Sequence, residues 1–164
     1  MKIEPYFQKL NESNVFKKFK EKNPKAYLSA GFFVIDFEDN KNIHQIDYFN
    51  PENSKMTTFI LDGNEVEEKD SESANTLVPS EIKQKINIDL DILKGMVEDE
   101  MKNRTITNKI QKIIAVVQNI DGKLIWNLNC ITTDMGIMKV HIEDDSHSII
   151  KFDKVNLFEA VRKL

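Results

Sequence analysis

One pattern occurs twice in this chain of 164 residues: a helical segment followed by three or more segments with strand character. Shifting the sequence by 82 positions aligns residues 27–66 with residues 109–148 without a gap and gives seven identities in forty positions. Apolar positions persist where identity does not, as where Leu28 aligns with Ile110. A period of this length predicts a tandem duplication of one α+β unit, and two unrelated meanders of similar spacing are the alternative.

Each copy can be divided into elements by its periodicity. Residues 1–24 are helical but interrupted at Asn11 to Asn14, and Ser13 or Asn14 is the candidate N-cap of the second helical piece. A second helix is predicted from Asp89 to Arg104. Strands are predicted in the β-branched and aromatic segments Leu28 to Phe37, IHQIDYF, KMTTFIL, KIIAVVQNI, LIWNLNCI, GIMKVHIE and SIIKF. A short amphipathic helix carrying Leu157, Phe158, Val161 and Leu164 is predicted at the end of the sequence.

These elements predict an α+β fold made of two pseudo-repeated units, each with helices packed on one face of an antiparallel meander of three to four strands. The predicted boundaries are residues 1–82 for the first unit and residues 83–164 for the second. Residues 66–80 are acidic and serine-rich without periodicity, and we expect a flexible connector there. Whether the two units share one sheet is left open.

Alternation along the strands predicts which side chains face the core. Met138, Val140 and Ile142 are apolar and are expected inside, so the residues between them face outward. The ungapped 82-residue register then places Thr57, Phe59 and Leu61 outside as well. An aromatic and a leucine on an exposed sheet face are typical of an interaction patch. The predicted partner-binding residues are Thr57, Phe59, Leu61, Lys139 and His141.

The stretch HIEDDSH, residues 141–147, is the candidate for chemistry because it holds two histidines and three carboxylates. A metal site at His141, Glu143 and His147 needs the three side chains on one face of the hairpin. If Ile142 pairs with Ile149, His147 lies on the opposite face from His141, and the stretch is a polar turn. If His147 pairs with Glu143, the two histidines become diagonal neighbours.

Composition narrows the classes of partner. The net charge is −4 and the pI is about 5.5, so bulk charge favours neither nucleic acid nor an anionic membrane. The basic run Lys17 to Lys25 is expected to be the solvated face of a helix rather than a phosphate-binding site.

Cys130 is the single cysteine and is expected to be buried, and His44 is expected to be a partly buried, hydrogen-bonded histidine. We find no apolar run of transmembrane length or signal-peptide pattern and expect a cytoplasmic protein.

The second copy resembles the PepSY-type module. The resemblance rests on the helix followed by KIIAVVQNIDG, KLIWNLNCIT and IMKVHIEDDSHSI, covers residues 88–153, and has a weaker counterpart in residues 5–66. Two such units in a row are also similar in plan to tandem helix-plus-sheet inhibitor proteins that grip an enzyme with a concave sheet. The resemblance implies a binding or inhibitory module without catalytic residues.

These observations favour a non-enzymatic module that holds a protein or peptide on an exposed sheet face, in an inhibitory or immunity-type role. A second copy of the chain is a further candidate partner. No pattern in the sequence is typical of a catalytic motif or of a phosphate-binding loop, and no cofactor is predicted. The alternative is a metal-dependent or small-ligand-dependent enzyme centred on residues 141–147.

Overall fold

The computed structural model describes residues 2–71 and 78–156, and this part of the chain contains three α-helices and eight β-strands. The helices are α1 (Glu4–Glu12), α2 (Asn14–Lys22) and α3 (Leu90–Asn103). The strands are β1 (Tyr27–Asp36), β2 (Ile43–Asn50), β3 (Lys55–Ile60), β4 (Glu67–Ser71), β5 (Ile110–Ile120), β6 (Lys123–Thr132), β7 (Gly136–Glu143) and β8 (Ser148–Asn156). The α+β class predicted from the sequence is confirmed.

The start of α2 follows local capping chemistry, whereas the residue before α3 makes a long-range contact. Ser13 separates α1 from α2, and its hydroxyl accepts a hydrogen bond from the backbone N–H of Phe16 at 3.2 Å, as the predicted N-cap requires. Asp89 is the N-cap position of α3, and its carboxylate accepts the backbone N–H of Ile3 at 3.2 Å. The hydrogen bond from Ile3 therefore ties the start of the chain to the start of α3.

All eight strands belong to one antiparallel sheet with the order β4-β3-β2-β1-β5-β6-β7-β8. The strands before residue 72 lie on one side of the centre and those after residue 109 lie on the other, so β1 and β5 join the two halves. Their register places Phe32 opposite Val116 and Phe33 opposite Ala115. The sheet is therefore continuous across the boundary between the two halves of the sequence.

One face of the sheet, here called the covered face, holds the buried core. Directly paired residues share a face, and the registers place Phe59, Ile46, Gly31, Val117, Trp126 and Ile142 in one row across six strands. The apolar residues of α3 form a cluster with Val117, Trp126 and Ile142. Phe16 and Phe19 of α2 form a second cluster with Ile46 and Phe59. All three helices thus contribute apolar residues to clusters on this face.

Gly31 lies in the middle of the covered face because no larger residue fits there. A Cβ atom on Gly31 would stand 2.8 Å from Cε2 of Phe33 and 2.9 Å from Cγ1 of Val117. Real side chains do not approach that closely, so the ring of Phe33 occupies the space that the glycine leaves. The close packing of β1 against β5 therefore depends on this glycine.

Two predicted segments differ from the structure or fall outside it. The prediction of a flexible connector over residues 66–80 is wrong at its start, because Glu67–Ser71 forms strand β4 and Val66 is buried. The charges of β4 suit an edge strand, since they discourage pairing with another chain. Residues 72–77 and the predicted C-terminal helix at 157–164 lie outside the described residues.

The predicted outward orientation of Thr57, Phe59 and Leu61 is wrong. Their exposed fractions are 5%, 0% and 2%, and all three lie on the covered face. Tyr48 and Thr57 pair with each other across the β2–β3 hairpin. In the ungapped alignment, Tyr48 corresponds to Cys130 and Thr57 corresponds to Lys139. In the structure, however, Cys130 pairs with Met138. The two hairpins therefore differ by one residue, and a shift of one residue moves every side chain of a strand to the other face.

No helix in the described ranges is both long enough and apolar enough to cross a membrane.

Candidate functional site

The second face of the sheet, here called the open face, is the candidate site. Its side chains alternate with those of the covered face along each strand. On β5, Ile113 and Ala115 are fully buried on the covered face, whereas Ile114 and Val116 are half-buried on the open face. Along β5 the second face is therefore less densely covered than the first.

The centre of the open face is an apolar patch, here called the central patch, made of Phe32, Val34, Ile114 and Val116. The register pairs Phe32 with Val116 and Val34 with Ile114 across the β1–β5 junction. Val34 is 8% exposed, and the other three are half-buried. Apolar side chains from both halves of the chain thus form one contiguous surface.

Amide side chains flank the central patch on both sides. Gln45 of β2 stands opposite Phe32 on one side, and Asn127 and Asn129 of β6 stand opposite Val116 and Ile114 on the other. Each amide carries both donors and an acceptor, so it can bind either kind of peptide group. The open face therefore has an apolar centre with hydrogen-bonding groups at its sides.

Lys139 and His141 lie where the sequence placed them, facing away from the core. The register pairs Asn127 with His141 and Asn129 with Lys139, so both residues extend the open face beyond the amides. Lys139 is exposed and His141 is half-buried. Of the five predicted partner-binding residues, these two belong to the open face. Their role in binding stays a prediction.

Most carboxylates on the open face have a lysine partner. The ion pairs are Asp36 with Lys112 at 3.9 Å, Glu143 with Lys123 at 3.6 Å, and Asp153 with Lys151 at 3.5 Å. Asp47 differs, because Oδ1 of this residue accepts a hydrogen bond from the hydroxyl of Thr58 at 2.6 Å. Burial raises the pKa of Asp47, and the Thr58 hydrogen bond opposes part of that rise.

The register at the β7–β8 hairpin bears directly on the metal hypothesis for HIEDDSH. Ile142 pairs with Ile149 and Glu143 with Ser148, which is the arrangement expected of a polar turn. His147 lies in that turn with a φ of 57° and is exposed, whereas His141 lies on the open face of β7. Among the described residues, no group of three histidine, cysteine, aspartate or glutamate side chains is arranged to hold a metal ion.

Two other potentially reactive side chains, those of Cys130 and His44, are buried in the core. Cys130 is buried, and burial raises the pKa of its thiol to about 12, so the reactive thiolate is scarce at neutral pH. His44 is 5% exposed, so it is more deeply buried than predicted, and its Nδ1 lies 2.6 Å from Oδ1 of Asp62, which confirms the predicted hydrogen bond. The ring of Tyr6 stacks on that of His44 with a centroid distance of 3.9 Å. The imidazole is therefore held between α1 and the sheet.

A cleft of about 580 Å³ lies beside α1 and α2, away from the open face. Two of the polar side chains that line it, Gln8 and Lys9, already donate hydrogen bonds within the protein. Gln8 donates to Glu12 at 3.0 Å, and the amine of Lys9 donates to the backbone carbonyls of Leu61 and Gly63. The contacts of Lys9 join α1 to the segment that follows β3.

One feature of the sequence indicates the central patch, and it is independent of the alternation that predicts which side chains face the core. Strands β1 and β5 are apolar at consecutive positions, as in Phe32 with Phe33 and Val116 with Val117. By contrast, β6 and β7 alternate apolar residues with asparagine, lysine and histidine. A strand that is apolar on both faces is expected where both faces are covered or where one face binds something. No comparable sequence pattern identifies Asp47, because its surroundings are formed by residues of three different strands.

Comparisons with known proteins identify a similar fold and no family. No protein-family model matches the chain, and no curated protein matches it. The crystal structure of a putative lipoprotein from Clostridium difficile 630 is similar, with a TM-score of 0.53 and 9% sequence identity over 87% of this chain and 91% of that chain. At this identity the similarity shows the fold alone. The PepSY resemblance stays a prediction.

Proposed function

We propose that this protein is a non-enzymatic binding module that holds a protein partner on the open face. The observation that carries the proposal is the central patch, in which Phe32, Ile114 and Val116 remain half-buried in the middle of an otherwise well-packed sheet. A contiguous apolar surface ringed by hydrogen-bonding groups is the usual composition of a protein interface.

The size and charge of the open face also suit a protein partner. Eight strands spaced by about 4.8 Å span roughly 34 Å, and an eight-residue strand such as β2 is about 26 Å long. The area of the open face, taken as the product of these two lengths, is close to the roughly 800 Å² that one partner buries in a standard interface. The net charge of −4 gives no electrostatic advantage to a polyanionic partner.

We further propose that the two halves are a tandem repeat, and that the open face is shared between the copies. In support, Phe33 stands opposite Ala115, and these positions are 82 residues apart, which is the offset of the sequence repeat. In a sheet formed by two equivalent antiparallel strands, the residue nearest the twofold axis pairs with its own counterpart. The β1–β5 junction has this geometry.

The test compares the wild-type protein with two variants that receive the same charge. Val116→Arg places a cation in the central patch, and Ile92→Arg places one on the exposed side of α3, where Ile92 is 43% exposed. Proteins captured by each form from the source cells are identified, and those that bind the wild-type protein are purified for titration. A photo-crosslinking residue at exposed Asn127, with one at exposed Gln8 as the control, locates the contact.

We expect a purified protein that binds the wild type and the Ile92→Arg variant equally, binds Val116→Arg at least tenfold more weakly, and crosslinks from position 127 but not from position 8. Circular dichroism checks that both variants are folded. Equal binding by all three forms would overturn the proposal. Self-association of the wild-type chain that Val116→Arg abolishes would also overturn it, because the open face would then hold a second copy.

A further inference from the structure

Asp47 occupies a specific place on the open face, at the edge of the central patch. It pairs with Ala30 of β1 on one side and with Thr58 of β3 on the other. Gln45, two residues earlier on β2, pairs with Phe32, so Phe32 is the diagonal neighbour of Asp47. Diagonal neighbours are roughly 7–8 Å apart, within reach of one side chain that contacts both residues.

Asp47 is also electrostatically distinct from the other carboxylates of this face. Within residues 2–71 and 78–156, no lysine, arginine or histidine forms an ion pair with it, and no donor binds its second oxygen, Oδ2. Lys69 lies in the same row, but Thr58 stands between them. The backbones of Asp47 and Lys69 are two strand spacings, about 10 Å, apart, and the two side chains form no ion pair.

A half-buried carboxylate without a cation is poorly solvated, and the raised pKa of Asp47 has the same cause. A partner that covered the open face would remove the remaining water from Oδ2. That desolvation is unfavourable unless the partner brings a positive charge, and in a desolvated interface a charge-assisted hydrogen bond is stronger than in water. The carboxylate thus selects for a cationic group and against a neutral or acidic one.

We propose that Asp47 is the anchor for a basic side chain of the protein partner, an arginine in preference to a lysine. The inference rests on the proposed use of the open face for protein binding. The guanidinium binds Oδ2, which leaves the Thr58 hydrogen bond to Oδ1 intact. Arginine is preferred because its guanidinium is weakly hydrated and stacks on aromatic rings, and Phe32 is the diagonal neighbour. The partner is therefore a protein segment with arginine next to apolar residues.

The probe is a displayed library of random twelve-residue peptides, selected on the immobilised wild-type protein after depletion on the Val116→Arg variant. We expect the retained peptides to be enriched in arginine beside apolar residues. For the best of them, replacement of arginine by citrulline should weaken binding at least tenfold, as should Asp47→Asn in the protein. Glu143→Gln is the matched control, because Glu143 lies on the same face but already pairs with Lys123, and it should change binding less than twofold.

The outcomes separate this inference from the proposed function. Peptides that depend on the central patch but contain no basic residue, or that bind Asp47→Asn as well as the wild type, would overturn the role of Asp47 and leave the binding face standing. A library in which no peptide distinguishes the wild type from Val116→Arg would overturn both. A retained arginine that responds equally to Asp47→Asn and Glu143→Gln would show attraction by general negative charge, and it would overturn the specific anchor.

Discussion

The indole Nε1–H of Trp126 donates a hydrogen bond to Oδ1 of Asp144 over 3.0 Å, and both residues are buried. The same carboxylate accepts the backbone N–H groups of Asn87 at 2.8 Å and Ile88 at 2.9 Å. One aspartate therefore joins β6 to the segment that leads into α3. Three donors depend on it, and each would be left without this acceptor if the carboxylate were removed.

We predict that Asp144→Ala lowers the free energy of unfolding by about 3 kcal/mol or more, because buried donors that lose their acceptor keep the cost of desolvation. Trp126 is the single tryptophan of the chain, so its fluorescence during denaturation with urea reports the change at this site. The matched control is the exposed neighbour Asp145, whose replacement by alanine should stay within about 0.5 kcal/mol of the wild type. Equal effects of the two substitutions would show that the hydrogen bonds of Asp144 contribute nothing specific.

The two glycines Gly31 and Gly95 should respond to alanine in opposite directions. Gly31→Ala is predicted to lower the free energy of unfolding by about 1–3 kcal/mol, because the new Cβ meets Phe33 and Val117 in a packed core. Gly95 lies in α3, and a Cβ there has no atom within 4 Å. Gly95→Ala should therefore raise stability by about 0.5–1 kcal/mol through helix propensity. Thermal melts of the two variants check both signs, and a destabilised Gly95→Ala variant would contradict the argument.

The order of the elements could be predicted from the sequence because each depends on nearby residues. Ser13 as the cap of α2 follows from capping preferences, the helix that starts after Asp89 follows from the helical spacing of its apolar residues, and both are observed. Strand β4 could not be predicted in the same way. Its sequence EEKDS has low strand propensity, and it is a strand because β3 offers an edge to pair with.

The faces of the strands were harder to predict than their positions. The offset of 82 residues holds for the pair of His44 with Trp126, which both lie on the covered face and both bind an aspartate, Asp62 in one case and Asp144 in the other. It fails on β3, because the length of one hairpin differs by a single residue. Alignment of the sequence with itself cannot detect that difference, since an inserted residue in a polar turn leaves no pattern. This error in the face of β3 affected the predicted binding residues most, because a partner contacts one face of the sheet.

Phe59 and Phe32 provide a direct test of the assignment of the two faces. Phe59 is fully buried, with its ring 5.4 Å from that of Phe16 and 5.1 Å from that of Phe19. Phe59→Ala is predicted to lower the free energy of unfolding by about 3–5 kcal/mol. Phe32 is half-buried on the open face, and Phe32→Ala should cost about 1 kcal/mol. Denaturation with urea measures both variants. A larger cost at Phe32 than at Phe59 would reverse the assignment.

Asp47 should make the protein less stable at neutral pH than an uncharged residue would. Burial raises its pKa above the unfolded value of about 3.9, so the stability it contributes is fully present below that value and is lost as the pH rises through the folded pKa. Asp47→Asn keeps an oxygen that can accept the hydroxyl of Thr58, and it carries no charge. We therefore predict that this substitution raises Tm at pH 7 by up to about 3 °C and has little effect at pH 3.5, as measured by calorimetry.

Glu143→Gln is the control for this pH dependence, because it removes a carboxylate of the same face that has a lysine partner, Lys123. It should not raise Tm at pH 7. A decrease of Tm at pH 7 for Asp47→Asn, or an increase of the same size at both pH values, would show that the charge of Asp47 is well solvated. The combination of higher stability and weaker peptide binding in one variant is the behaviour expected of a residue kept for binding rather than for folding.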